Sequence, residues 1–173
     1  MTASVRLDRA ALRRTVERLA REISADHSDG VVLIGVLKGA CTFLSDLIRA
    51  TDILLGIEFI AISSYGAEMR TSGEVRILKD LDVAIAGRHI LVVEDIVDTG
   101  LTLSYLLANL ESRGAASVKL VALLDKYERR EKDVAIDYLG FKIPDKFVVG
   151  YGLDFAERYR NLPFIGVLKD PTQ

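Results

Sequence analysis

Cysteine and histidine are scarce in this sequence, and their scarcity limits the chemistry that the chain can support. The 173 residues include one cysteine, Cys41, and two histidines, His27 and His89. A single cysteine excludes an internal disulfide, and one thiol with two imidazoles cannot assemble a conventional zinc site. We therefore expect any bound metal to be held by oxygen ligands.

The sequence also lacks a basic excess and a long apolar run. Its formal net charge is −2, whereas proteins that bind nucleic acid usually carry a clear excess of lysine and arginine. No run approaches the ~20 apolar residues of a membrane helix, and residues 1–10 lack the apolar core of a signal peptide. We therefore expect neither nucleic acid nor a membrane as a partner, and we predict a cytoplasmic protein.

Proline is confined to the last 30 residues, half of the residues are apolar and 28% are charged. This composition is typical of a globular protein and argues against a disordered or low-complexity chain. The length suits one domain with a sizeable core, since a single domain typically takes ~100–200 residues.

Hydrophobic patterning predicts an α/β fold. Continuous apolar, β-branched runs are typical of strands buried on both faces of a parallel sheet, and apolar residues three and four apart indicate helices. The pattern predicts a first helix that Asp8 could cap, strands over 31–37, 53–65, 89–95 and 117–126, a short helix after Lys38-Gly39, and a helix over 101–114. Residues 66–76 have no usable period and predict a mobile loop. The short apolar pieces of the last third predict edge strands and loops over the rim of the sheet.

Residues 92–103, VVEDIVDTGLTL, carry the strongest chemical signal. Here a predicted strand ends in two adjacent carboxylates, Glu94 and Asp95, which need partners if they leave water. Ribose hydroxyls or Mg²⁺ would supply such partners, whereas two solvated acids at a strand end are the ordinary alternative. The following Asp98-Thr99-Gly100-Leu101-Thr102 offers backbone N–H groups, two hydroxyls and a glycine before a helix. This order indicates a phosphate cradle, but it would also suit a simple helix cap.

The string VVEDIVDTGLT resembles the phosphoribosyl-diphosphate (PRPP) binding motif of type I phosphoribosyltransferases. Three further segments narrow the resemblance to the hypoxanthine-guanine phosphoribosyltransferase family: VLKGA at 36–40, SSYG at 63–66, and LLDKY at 123–127 together with residues 143–163. The resemblance implies the type I fold as a single α/β domain over 1–173, in which helices flank a twisted, mostly parallel sheet. It also implies a small hood, built mainly from about residues 127–173 together with the N-terminal helix.

The resemblance further implies roles for residues of a PRPP site. Glu94 and Asp95 would hold the ribose and a Mg²⁺ ion, and Asp154 would hold a second Mg²⁺. The 5-phosphate would lie on the loop formed by Asp98, Thr99, Gly100, Leu101 and Thr102. The pyrophosphate would bind Leu37, Lys38, Gly39 and Arg160. A cis peptide bond would join Leu37 to Lys38, and a mobile lid that includes Ser64 and Tyr65 would close over the pyrophosphate.

For the base, the resemblance implies recognition by Lys126, Phe147 and Val148. Lys126 would donate to a purine 6-oxo group, Phe147 would stack on the ring, and the backbone of Val148 would pair with the edge of the base. Taken one at a time, the residues have ordinary alternatives. Lys126 could be a solvated strand end, Phe147 could belong to the core, and Asp154 could form a surface ion pair with Arg160.

The function that the resemblance implies is Mg²⁺-dependent purine salvage. A 6-oxopurine base and PRPP would form inosine or guanosine monophosphate and pyrophosphate, and Asp98 would exchange a proton with purine N7. The alternative is a PRPP-sensing regulator that binds nucleic acid and has the same fold, against which the net charge and the intact purine segment argue. Members of the family commonly form oligomers, so we also expect a homodimer or homotetramer.

Overall fold

A six-stranded sheet lies at the centre of the computed structural model, which describes residues 4–64 and 75–169. In chain order the strands are β1 (Ser4–Leu7), β2 (Val31–Val36), β3 (Leu55–Ser64), β4 (Val75–Lys79), β5 (His89–Val97), β6 (Ser117–Asp125), β7 (Tyr138–Lys142), β8 (Val148–Val149) and β9 (Ile165–Val167). The helices are α1 (Arg9–Asp26), α2 (Cys41–Ala50) and α3 (Leu101–Ser112), followed by a 3₁₀ turn at Tyr127–Arg129.

The large sheet has the strand order β4-β3-β2-β5-β6-β7. All neighbours in it are parallel except β3 and β4, which pair antiparallel. The predicted mixed α/β fold with a mostly parallel sheet is therefore confirmed. The predicted loop over residues 66–76 is wrong at Val75 and Arg76, which begin β4. The pattern does not predict this strand, because Val75 directly follows a polar, glycine-containing segment.

Two apolar clusters cover opposite faces of this sheet. Alternate residues of β5 belong to different clusters, Leu91 and Val93 to one, Ile90 and Val92 to the other, because successive side chains of a strand point to opposite faces. The buried sides of α1 and α2 belong to the first cluster, and the buried side of α3 belongs to the second. Helices thus flank the sheet on both faces, as continuous apolar strands require.

A second, three-stranded antiparallel sheet is built from both ends of the chain, in the order β1-β9-β8. Strand β1 is not predicted by the pattern, since four residues are too few to show an alternation. Helix α1, which the resemblance assigns to the hood, packs against α2 and β7. Within residues 4–64 and 75–169 no helix is long and apolar enough to cross a membrane. The cytoplasmic location stays a prediction.

Both ends of α1 are capped by the residues that flank the helix, Asp8 through its side chain and His27 through its backbone N–H. The Asp8 carboxylate accepts a hydrogen bond from the Ala11 N–H at 2.7 Å, which confirms the predicted cap. At the other end His27 is buried, with Nε2 3.3 Å from the Tyr138 hydroxyl, and that hydroxyl donates to Asp26 at 2.7 Å. Burial lowers the pKa of His27, and the positive charge of Lys119 lowers it further.

Replacing His27 with glutamine should weaken the dependence of stability on acid. When the pH falls below about 6.5, the unfolded chain binds a proton at this imidazole before the folded chain does, so the free energy of unfolding decreases. We expect the melting temperature of the wild type to fall more steeply between pH 7.5 and 5 than that of His27→Gln. The exposed His89 provides the matched variant. Its charge lowers the pKa of His27 less than burial does, so His89→Gln should change the slope less than His27→Gln does. An unchanged slope in His27→Gln would contradict the assignment.

Candidate active site

The candidate site lies at the carboxyl ends of β2, β5 and β6, which are neighbours in the parallel part of the sheet. Ligands bind at this edge in open α/β sheets. Each of these strands ends in a segment singled out from the sequence: Leu37–Ala40 follows β2, Asp98–Gly100 follows β5, and Lys126 follows β6. Three segments that are distant along the chain therefore meet at one edge.

The paired acids Glu94 and Asp95 lie within β5, which continues to Val97. The expectation that the strand ends at these acids is therefore wrong, because Ile96 and Val97 extend the pairing with β6. Burial and the neighbouring Asp95 raise the pKa of Glu94 well above its usual range, and burial raises the pKa of Asp95. Two adjacent acids withdrawn from water in this way favour a cation or a hydrogen-bond donor as ligand.

Asp95 reaches across to the loop that follows β2. A Cβ atom placed on Gly39 would overlap the Asp95 carboxylate, so no larger residue fits at position 39 without displacing the acid. On the other side, Gly152 stands at φ +99°, and a Cβ there would overlap the Gly39 carbonyl oxygen. The loop after β2 is therefore held between the acid of β5 and the segment that follows β8.

The loop after β5 leads directly into α3, whose first residue is Leu101. Gly100 has φ +83°, and a Cβ on it would overlap the Lys132 carbonyl oxygen. The Thr99 carbonyl accepts hydrogen bonds from the N–H groups of Glu131 and Lys132 at 2.9 and 3.0 Å. A cavity of about 280 Å³ opens above this loop and is bordered by both acids of β5. An anion in it would meet the N-terminus of α3, where backbone N–H groups are free to donate.

Two residues that the sequence did not indicate, Asp125 and Arg130, support the loop after β5. The Arg130 guanidinium pairs with the buried carboxylate of Asp125, and its Nε donates to the Asp98 carbonyl oxygen at 3.2 Å. Asp125 and Arg130 are part of the sequence around the predicted purine segment, but nothing in their spacing indicates a contact with residue 98. Only the fold brings them to the loop after β5.

The Asp98 side chain lies next to a different arginine from the one that contacts its carbonyl oxygen. The Nε atom of Arg129 lies 3.1 Å from Asp98 Oδ1 without alignment for a hydrogen bond. That buried oxygen has no hydrogen-bond donor among residues 4–64 and 75–169. Arg129 also lies 3.9 Å from Asp145, which lies 3.8 Å from Lys126 Nζ. A chain of alternating charges therefore connects Asp98 to Lys126.

Lys126 and Phe147, which the resemblance assigns to purine recognition, do not match their ordinary alternatives. Lys126 is buried, with 7% of the residue exposed, so it is not a solvated strand end. Phe147 is 41% exposed and meets Phe155 edge to face at 5.5 Å, so it does not belong to the core. Val148 is buried at the start of β8. A buried lysine and an exposed aromatic ring are groups suited to binding a flat, polar molecule.

The candidate pyrophosphate residues lie together. The peptide bond between Leu37 and Lys38 is cis, as expected. Arg160 donates to the Gly152 carbonyl oxygen at 2.8 Å and pairs with Asp154 at 3.1 Å, which agrees with the ordinary alternative of an ion pair. Lys38 Nζ lies 3.1 Å from Glu157, which also contacts Arg160 at 3.3 Å. Glu157 is a further residue that the sequence reasoning missed.

The lid residues fall at the limit of the described structure. Ser64 is the last residue of β3, and Tyr65 lies outside the described residues, as do residues 66–74 of the predicted loop. Ser64, which the resemblance assigns to a lid, thus ends its strand at the same edge as the three loops of the site.

Comparison with known proteins agrees with this arrangement. The phosphoribosyl transferase domain family matches residues 7–156. The chain is 53% identical to hypoxanthine-guanine phosphoribosyltransferase of Bacillus subtilis over 159 residues, which are 91% of this chain and 88% of that protein. The protein of the same name from Mycobacterium tuberculosis is 54% identical over 151 residues, 87% of this chain and 74% of that one.

Solved structures give the same result. A crystal structure of hypoxanthine-guanine phosphoribosyltransferase from Bacillus anthracis superposes with a TM-score of 0.93 at 44% identity, covering 97% of this chain and 99% of that one. The fold and the site define a phosphoribosyltransferase, which is a pentosyltransferase. Within that class, the chain belongs to the hypoxanthine-guanine phosphoribosyltransferase family.

Replacing Gly152 with alanine should destabilise the protein more than an alanine in a similar backbone conformation elsewhere. Gly87 is the matched control, since it has φ +73° and a Cβ on it would meet no atom within 4 Å. Gly87→Ala should lose about 1 kcal/mol from the left-handed conformation alone. Gly152→Ala should lose at least ~1 kcal/mol more, because Gly39 must also move. Denaturant unfolding measures both losses, and equal losses would show that Gly152 does not constrain the loop.

Proposed function

We propose that the enzyme transfers the 5-phosphoribosyl group of PRPP to hypoxanthine or guanine, forming inosine or guanosine monophosphate and pyrophosphate. The observation that carries this proposal is the chain of charges through Arg129 and Asp145, which connects Asp98, in the loop after β5, to the buried Lys126. In this proposal Lys126 recognises the 6-oxo substituent of the base, and Asp98 exchanges a proton with it. The names of the relatives agree with this substrate pair.

The phosphate loop would bind the 5-phosphate of PRPP. Residues Asp98 to Thr102 surround the N-terminus of α3, where backbone N–H groups and the helix dipole favour an anion. The pyrophosphate would lie against Leu37, Lys38 and Gly39, with Arg160 as its second cation. The ribose diol would donate to the carboxylates of Glu94 and Asp95.

Magnesium fits this set of donors. Glu94 and Asp95 are adjacent carboxylates, and burial raises the pKa of both. No cluster of three or more acid, cysteine or histidine side chains that could hold a metal occurs in the part of the chain that the structure describes. Mg²⁺ commonly binds one or two carboxylates together with substrate phosphates and water. Glu94, Asp95 and, for a second ion, Asp154 would hold it, and it would offset negative charge on the leaving pyrophosphate.

The base would enter between Phe147 and the sheet edge. Phe147 would stack on the purine, the Lys126 ammonium would donate to the 6-oxo oxygen, and the backbone of Val148 would pair with the edge of the ring. An ammonium group only donates hydrogen bonds, so it discriminates against the 6-amino group of adenine. Closure of the lid with Ser64 and Tyr65 would exclude water from the reacting carbon.

Bond formation would occur at C1 of the ribose. The C1–O bond to pyrophosphate breaks, and its electron pair leaves with the pyrophosphate, whose charge Lys38 and Arg160 stabilise. N9 of the purine forms the new bond to C1. The proton that must leave the purine passes from N7 to Asp98, whose buried Oδ1 has no hydrogen-bond donor within the described ranges.

Asp98→Asn tests the proton transfer. The amide keeps the size of the side chain but is a far weaker base, so kcat should fall on the order of 10²–10⁴-fold while the Kd of PRPP stays unchanged. Asp29→Asn, an exposed substitution at the opposite edge of the sheet, should keep both values. A wild-type kcat in Asp98→Asn would remove this residue from the mechanism. Loss of PRPP binding would assign Asp98 to the phosphate loop alone.

The choice of base tests the whole proposal. Purified protein incubated with PRPP and Mg²⁺ should form nucleotide from hypoxanthine and guanine but not from adenine, and chromatography of the products measures this. Product from adenine alone would contradict the role of Lys126. No product from hypoxanthine, guanine, xanthine or adenine would contradict the transferase and favour the PRPP-sensing regulator. The homodimer or homotetramer stays a prediction.

A further inference from the structure

Glu157 connects the two cations of the candidate pyrophosphate site. Its Oε2 lies 3.1 Å from Lys38 Nζ, and its Oε1 lies 3.3 Å from the Arg160 guanidinium. Each oxygen of one carboxylate therefore contacts a different cation. Two oxygen atoms of a bound anion would use the same pair of contacts, so Glu157 stands where pyrophosphate oxygens are proposed to bind.

The backbone holds Glu157 in this position. Its φ is +61°, a left-handed conformation that is uncommon for residues other than glycine, and neighbouring Ala156 has φ +50°. The Glu157 N–H donates to the Asp154 carboxylate at 2.8 Å, which fixes the turn. Unusual backbone conformations of this kind persist where the surrounding structure enforces them, and they cluster at binding sites.

The contacts of Glu157 are suited to exchange. The side chains of Lys38 and Glu157 are 68% and 66% exposed, and ion pairs between exposed groups contribute little net stability. The Glu157 carboxylate contacts two cations, Lys38 and Arg160. The pair is thus charged and accessible, and an incoming dianion or trianion can replace it.

We propose that Glu157 holds the pyrophosphate site in its unliganded form and competes with pyrophosphate for Lys38 and Arg160. The inference rests on the proposed function, which assigns those two cations to pyrophosphate. In the free enzyme the carboxylate keeps both cations paired and in position. When PRPP binds, its pyrophosphate group takes over the cations, and after the transfer Glu157 returns to them and promotes release of inorganic pyrophosphate.

Binding of inorganic pyrophosphate in the presence of Mg²⁺ tests this competition, measured by isothermal titration calorimetry on the complete chain. Glu157→Gln removes the competing charge, and we expect it to bind pyrophosphate about two- to fivefold more tightly than the wild type, since exposed ion pairs have energies in that range. Pyrophosphate should become a correspondingly stronger product inhibitor.

Two further variants separate contact from general electrostatics. Glu157→Asp keeps the charge but shortens the side chain by one methylene, so it should also bind pyrophosphate more tightly if contact with the cations is the cause. Glu111→Gln removes the same charge from an exposed position near the far end of α3 and should bind pyrophosphate as the wild type does.

The outcomes distinguish the two proposals. Pyrophosphate affinity that is unchanged or weaker in Glu157→Gln would overturn the competition, as would tightening in Glu157→Gln but not in Glu157→Asp. If the wild type itself binds no pyrophosphate, the assignment of Lys38 and Arg160 fails, and with it the proposed function of this site.

Discussion

The close approach of Asp95 to Gly39 is the constraint on which the site depends. Strands β2 and β5 are parallel neighbours, so the loop after β2 must pass the acids near the end of β5. The loop passes so closely that only a glycine fits at residue 39, and Gly152 confines it from the other side. The acids suited to ribose and metal are thereby joined to the loop suited to pyrophosphate. A small movement of either would separate groups that the proposed function assigns to one PRPP molecule.

Most of the charged groups in the site already have partners within the protein. Asp98 faces Arg129, Lys126 faces Asp145, and Glu157 faces both Lys38 and Arg160. Glu94 and Asp95 differ, because they form no ion pair within residues 4–64 and 75–169 and burial raises their pKa values. Substrate binding would therefore exchange partners at most positions, whereas at the paired acids it would supply a partner that the protein lacks. This difference favours a cation as the ligand of Glu94 and Asp95.

Much of the fold could be predicted because its signals are local. The apolar runs of β2, β5 and β6 and the stripe of α1 depend only on neighbouring residues, and the structure confirms them. Strands β1 and β4 could not be predicted, since a short edge strand is defined by the partner it pairs with rather than by its own pattern. The predicted end of β5 was too early for the same reason. Adjacent acids argue for a loop, but pairing with β6 keeps Glu94 and Asp95 within the strand.

The sequence alone determined the fold class and the residue types of the candidate site, because strand patterning and the order of acids, glycines and hydroxyls in one loop are properties of contiguous residues. The tertiary structure decided which charges face each other. Long-range contacts of this kind are made by Arg129 and Arg130 to Asp98 and by Glu157 to Lys38, across 31 to 119 positions of the chain. Spacing along the sequence contains no information on such pairs. The strand VVEDIV and the turn DTG therefore indicate a phosphate and a sugar as ligands. The protein groups that pair with the charged site residues, and that those ligands would replace, are seen only in the folded chain.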